Sequence, residues 1–225
     1  MLALSKRLKL IAELVKSGSS VCDVGTDHGY LPAFLYLSGK CKSVTATDIR
    51  EKPLSNARQN LERLGADGVQ LLLCDGLSAV NRNMADTVII AGMGGEVISG
   101  IIDRADFLKD STVSLILQPM TAADSLREYL AQEGFCVTSE TAVGENGKIY
   151  SVMTAKFSGV PYELSDVRRL IGLLTPQDDE SAEYIQKQKK IVSKCVDELQ
   201  NVPHKREEYL RCKNILEQLN EILRG

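Results

Sequence analysis

Three aspartates at the ends of strand-like runs carry the first chemical suggestion. Across positions 21–29 a β-rich stretch runs into Asp23, Gly25, Thr26, Asp27, His28 and Gly29, and a helical pattern follows. Glycine at such a turn lets the backbone approach a ligand closely. A three-glycine dinucleotide turn seats a pyrophosphate on the helix N-terminus. Asp23 and Asp27 would repel that group and instead suit a cationic ligand such as S-adenosylmethionine. Asp48 closes the next strand about 25 residues after Asp23, where an acidic side chain can accept both hydroxyls of a ribose. Asp75, followed by Gly76, closes a third. Singly, each reads equally well as a turn-forming Asp. Together they line the carboxyl edge on which open α/β sheets bind ligands. Gly92, Met93, Gly94 and Gly95 end a fourth run on that edge and can keep a channel open between donor and acceptor; the missing Gly-Lys-Ser/Thr excludes a Walker A loop. The fifth run ends in Gln118, Pro119 and Met120, where the Gln118 amide either meets a base edge or caps the strand.

Positioning these groups requires alternating strands and helices. Leu8, Ile11, Ala12 and Val15 recur at helical spacing behind Ser5, a fitting cap, with Gly18 as a stop. β-rich runs at 21–24, 43–47, 69–73, 87–91 and 113–117 alternate with helical patterns from Tyr30, from Pro53 and over 96–107. Such alternation predicts a mostly parallel sheet covered on both faces. Two further runs, 135–143 and 148–157, flank Gly144 to Gly147, and Asn146-Gly147 is a hairpin signal, so the last pair should be antiparallel. Five parallel strands closed by an antiparallel hairpin resemble the class I methyltransferase sheet, a Rossmann-like α/β fold. Positions 158–161 read as a linker. Beyond it Ile185, Gln188, Val192, Cys195 and Leu199 step by three and four, as do Tyr209, Cys212, Leu216, Leu219 and Leu223, with Pro203 between. The expected layout is a sheet domain over 1–158 and a helical, coiled-coil-like domain over 162–225, joined through a short helical run at 167–174.

Composition narrows the class without choosing the partner. Apolar residues at 44% and charged residues at 25% are globular values, and a net charge of −3 gives no global basic field, so a nucleic acid would need a local patch. No apolar run reaches the roughly 20 residues of a membrane span, and residues 1–10 lack a signal-peptide core, so the expected location is the cytoplasm. Six cysteines without a Cys-x-x-Cys pair and two histidines make a metal site unexpected; the cysteines read as reduced core thiols.

The order Leu4-Ser-Lys-Arg-Leu8, Asp23 to Pro32, Cys74-Asp-Gly-Leu77, Ala91 to Gly95 and Leu117-Gln-Pro119 resembles the bacterial tRNA (adenine-22-N1)-methyltransferase family, TrmK. The likeness covers the sheet domain to about residue 157, and the helical appendage resembles that family's coiled-coil domain. Gly29, Asp48 and Met120 stand where the family often has alanine, glutamate and asparagine. The resemblance implies methyl transfer from S-adenosylmethionine to N1 of adenine 22 in tRNA. It implies a cofactor site from Asp23, Gly25, Thr26, Asp27, Tyr30, Asp48, Ile49, Asp75, Gly76, Gly92, Met93 and Gly94. Asp27, His28 and Gln118 are the candidate catalytic groups, Asp27 to stabilise positive charge on the methylated base. Lys6, Arg7, Pro119, Lys187 and Lys190 are the candidate tRNA contacts, although a lysine run is equally a solvated helix face. The chain is expected to act as a monomer or weak dimer. Competing readings are another methyl acceptor, a non-catalytic RNA-binding scaffold, or an NAD-linked oxidoreductase; the acidic turn and the closing hairpin argue against the last.

Overall fold

The structure, a computed structural model, describes residues 2–224. Strands β1 Ser20–Val24, β2 Ser43–Asp48, β3 Gln70–Leu73, β4 Thr87–Gly94 and β5 Ser114–Thr121 run parallel. Strands β6 Phe135–Glu145 and β7 Lys148–Phe157 complete a seven-stranded sheet in the order β3-β2-β1-β4-β5-β7-β6, with β7 antiparallel to both neighbours. This is the Rossmann-like sheet the alternation predicts. The hairpin turns on Asn146 and Gly147, both at positive φ, the two-residue geometry that matches strand twist.

Period-two alternation divides the central strands between two cores. Val21, Ile89 and Ile116 face helices α1 Lys6–Leu14, α2 Tyr30–Leu37 and α3 Glu51–Leu64. Cys22, Val24, Val88, Ile90, Leu115 and Leu117 face α4 Gly95–Asp103 and α5 Ala123–Gln132. Each fully buried aliphatic side chain contributes about 1.5–3 kcal/mol, and both faces of β1, β4 and β5 are covered, so their carboxyl ends form a rigid edge.

Several boundaries differ from the sequence pattern. α3 starts at Glu51 rather than Pro53; the proline still lies in the first turn, where no intrahelical acceptor awaits its missing N–H. β4 does not end at Ala91 but continues through the glycines to Gly94, with register shifts at Met93, because β5 pairs with it past Gln118. α4 stops at Asp103, and a 3-10 turn, Asp106–Leu108, replaces the rest of the expected helix.

Beyond the sheet lie α6 Asp166–Ile171, α7 Asp179–Leu199 and α8 Arg206–Arg224, with Pro203 in the turn between the last two. Ile185, Val192 and Leu199 of α7 are buried as the spacing predicts. On α8 the fully buried positions are Ile215 and Leu219, while Tyr209, Cys212, Leu216 and Leu223 are partly exposed. This helical unit also shares a cluster with Ala142 and Ile149 of the β-hairpin. A buried ion pair reinforces the junction: Arg127 of α5 meets Glu140 of β6 and donates to the carbonyls of Arg169 and Leu170, 2.9 Å each, and to the Tyr184 hydroxyl at 3.2 Å.

Candidate active site

The carboxyl edge of the sheet carries two adjoining hollows that share Gly25, Asp27, Ala91 and Gly92. The first, about 380 Å³, lies over β2, β3 and β4. Asp48 is buried in its lining; one carboxylate oxygen accepts the Arg50 N–H at 2.9 Å, which fixes the side chain and leaves its other oxygen without a partner among the described residues. Asp75 stands at the rim, 3.4 Å from the Arg104 guanidinium. Ile49 and Val97 stay 61% and 55% exposed although apolar, and with Ile101 they give this hollow an apolar slot. Gly25, at φ +76°, forms the wall: a Cβ there would sit 2.1 Å from the Met93 methyl.

The second hollow, about 320 Å³, lies on the α1 and α2 side of β1. Asp23 is 5% exposed, and burial pushes its carboxyl up to about 6. The Thr26 hydroxyl beside it favours the ionised form without reaching hydrogen-bond geometry, and Asp48 opposes ionisation. Thr26 Oγ1 is buried beside the Asp23 carboxyl and has no hydrogen-bond partner among the described residues. Asp27 holds a left-handed backbone at φ +50°, and its exposed carboxylate lies 3.4 Å from His28 Nε2. The His28 ring stacks on Tyr30 at 5.8 Å, and Asn60 anchors the His28 carbonyl at 3.0 Å.

Arg7 reaches into this hollow from α1. Its Nη1 donates to Gln118 Oε1 at 2.7 Å and its Nε to Glu145 at 3.2 Å. Gln118 Oε1 also accepts the Gly92 N–H at 3.1 Å, and the Gln118 amide donates to the Pro119 carbonyl at 2.9 Å. Gln118 is fully buried with both ends of its amide engaged. Of the two sequence readings, the strand-end role matches this placement; the side chain holds Arg7 and Gly92 in place rather than presenting a free amide to a ligand.

A methyltransferase-domain family matches residues 4–153. The tRNA (adenine(22)-N(1))-methyltransferase of Bacillus subtilis strain 168 is 35% identical over 156 residues, 69% of this chain and 66% of that protein. The crystal structure of the B. subtilis M1A22 tRNA methyltransferase TrmK superposes with a TM-score of 0.84 at 26% identity, over 99% of this chain and 100% of that one. Streptococcus pneumoniae Sp1610, solved in complex with S-adenosyl-L-methionine, superposes at 0.79 with 31% identity, over 98% and 100%. The chain belongs to the tRNA (adenine-22-N1)-methyltransferase family. In this family member the twelve residues expected at the cofactor lie at or beside the two hollows, with Gly94 at the outer end of β4. The residues expected at tRNA are spread more widely. Lys6 is paired with Glu180 at 2.6 Å, while Pro119 and Lys187 line a separate groove between the sheet and α7. Lys190 is exposed on α7. Val97, Ile101, Arg104 and Glu145 escaped the sequence reading: they lie on α4, just past its end or on the hairpin, without a motif, and only the fold brings them to the edge.

Proposed function

We propose that this chain transfers a methyl group from S-adenosylmethionine to N1 of adenine 22 in tRNA. The observation that carries the reading is the ring of carboxylates at the ends of β1, β2 and β3, set beside an apolar slot and opening past Gly92 onto a second hollow. A ligand with a nucleoside at one end and positive charge at the other fits this arrangement. Asp48 offers its other oxygen to ribose hydroxyls, Asp75 faces the rim where an adenine amine would lie, and Ile49, Val97 and Ile101 cover the ring. The missing Cβ at Gly25 lets the Met93 side chain pack against the backbone there and close the wall of the first hollow. Asp23 supplies negative charge at the cationic end.

When bound, the sulfonium supplies an electrophilic methyl. The adenine N1 lone pair attacks that carbon as the carbon–sulfur bond breaks, so the protein needs positioning more than a strong base. N1 lies on the pairing edge, and the base must leave its stack to react. The stacked His28 and Tyr30 rings provide a platform at the mouth of the second hollow. Asp27, held by its left-handed backbone at the boundary of the hollows, stabilises the positive charge that the base acquires. Gln118 acts through others: it fixes Arg7 and the Gly92 turn between donor and acceptor.

In this reading residues 1–158 hold donor and reacting base, and residues 162–225 hold the rest of the tRNA. The groove containing Pro119, Met120 and Lys187 joins the two units and supports that division. The chain works as a monomer or weak dimer, since the seam residues Val192, Leu199, Ile215 and Leu219 are used within the chain. Incubation with S-adenosylmethionine and unmodified tRNA transcripts should create a reverse-transcription stop at adenine 22, weakened by Asp27→Ala at saturating cofactor. A stop at another base, or none with any transcript, rejects the proposal.

A further inference from the structure

Away from the carboxyl edge, Cys195 of α7 and Cys212 of α8 bring their sulfurs to 3.1 Å across the helical hairpin. Both are free thiols and both are partly exposed. A disulfide requires the sulfurs at about 2.05 Å, so closure needs a movement of about one ångström, within reach of side-chain rotation. The remaining cysteines lack a partner at this range: among the described residues no other pair of thiols is in contact. Neither Cys195 nor Cys212 takes part in the methyl-transfer site.

We infer that Cys195 and Cys212 form a dithiol modification site, oxidised to an intramolecular disulfide by low-molecular-weight disulfides such as glutathione disulfide. Burial and the contact with Cys195 push the Cys212 thiol up, and whichever sulfur attacks first the same crosslink results. Written with Cys195 first, its thiolate attacks one glutathione sulfur, a mixed disulfide forms, and one glutathione departs as thiolate and takes up a proton. Cys212, on losing its proton, attacks Cys195 Sγ and expels the second glutathione. Two protein thiols are oxidised, one glutathione disulfide is reduced, and both thiol protons end on the two glutathiones. The product staples α7 to α8 and closes a loop through the Pro203 turn.

The test uses the full-length protein equilibrated in glutathione redox buffers, quenched by alkylation, and read by intact mass and peptide mapping. The expected result is a 2 Da loss without a glutathione adduct, a 195–212 linked peptide, and a rise in melting temperature of roughly 5 °C. Cys195→Ser should abolish the crosslink while leaving the circular dichroism spectrum of the reduced protein unchanged. Persistence of all six thiols, a stable adduct on Cys195, or oxidation confined to Cys136 would overturn the inference. Should Cys195→Ser unfold, Cys212→Ser provides the same control.

Discussion

Replacing Asp23 with asparagine removes a buried charge and keeps the shape, so its effects separate stability from ligand binding. In the folded protein the carboxyl titrates near 6, against 3.8 for the free group. Because the folded state holds its proton more tightly, this residue favours folding below about pH 4, and that advantage disappears as pH rises through 6. The difference between 6 and 3.8, at about 1.36 kcal/mol per pK unit, makes ionised Asp23 a cost of about 3 kcal/mol above pH 7. Asp23→Asn should therefore raise the stability of the ligand-free protein at pH 7.5 by an amount approaching that figure, reduced by the amide's own hydrogen-bonding needs. It should also flatten the dependence of stability on pH between 4 and 6, measured by urea denaturation across that range. S-Adenosylmethionine affinity moves the other way. A cation beside Asp23 favours the carboxylate, so wild-type binding should weaken toward tenfold per pH unit below 6, whereas the variant should bind at least tenfold more weakly at pH 7.5 and change little with pH. A variant that is less stable at pH 7.5, or that keeps the pH slope in both measurements, would refute the assignment of this burden to Asp23.

Gly25→Ala forces an L-residue into φ +76° and drives a methyl toward Met93. It should lose about 1–2 kcal/mol of stability from backbone strain alone and, as Met93 swings into the first hollow, bind cofactor at least tenfold more weakly by calorimetry. Arg127→Met leaves Glu140 buried without its cation and should cost about 3–5 kcal/mol in chemical denaturation. The double change Arg127→Met with Glu140→Leu should recover most of it, and a double variant no better than the single would show that the carbonyl and Tyr184 contacts outweigh the charge pair.

The carboxylate ring was legible because strand period and turn chemistry both point to Asp23, Asp48 and Asp75, and both are local. The hairpin was legible for the same reason, Asn146-Gly147 being a local instruction. α5 was not read: Ala122, which precedes it, offers no capping side chain and sits at φ +51°, so the Thr121-x-x-Asp124 spacing that looks like a cap lies one residue out of step with the helix start. The extension of β4 through Gly92 to Gly94 comes from pairing with Pro119 and Thr121, a tertiary cause that overrides the turn preference of glycine. Gln118 showed an amide at a strand end but not its engagement with Arg7, which arrives from a helix more than a hundred residues earlier. Arg127 and Glu140 carried no sign of burial, since a charged residue on a helix and another on an alternating strand both read as solvent-facing.

The Arg127 cluster bears on how this protein could be taken apart. The family match ends at residue 153 and the chain crosses an exposed stretch near 159–163, which invites treating the helical part as a detachable cassette. A guanidinium rooted in α5 nevertheless takes two of its acceptors from α6 and a third from α7. Trimming the chain there would strip three partners from a cation already withdrawn from water and uncover Ala142 and Ile149 at the same stroke. The two halves are thus bound to inherit one another: a graft of this sheet onto a foreign RNA-binding module would have to carry α6 and the start of α7 with it.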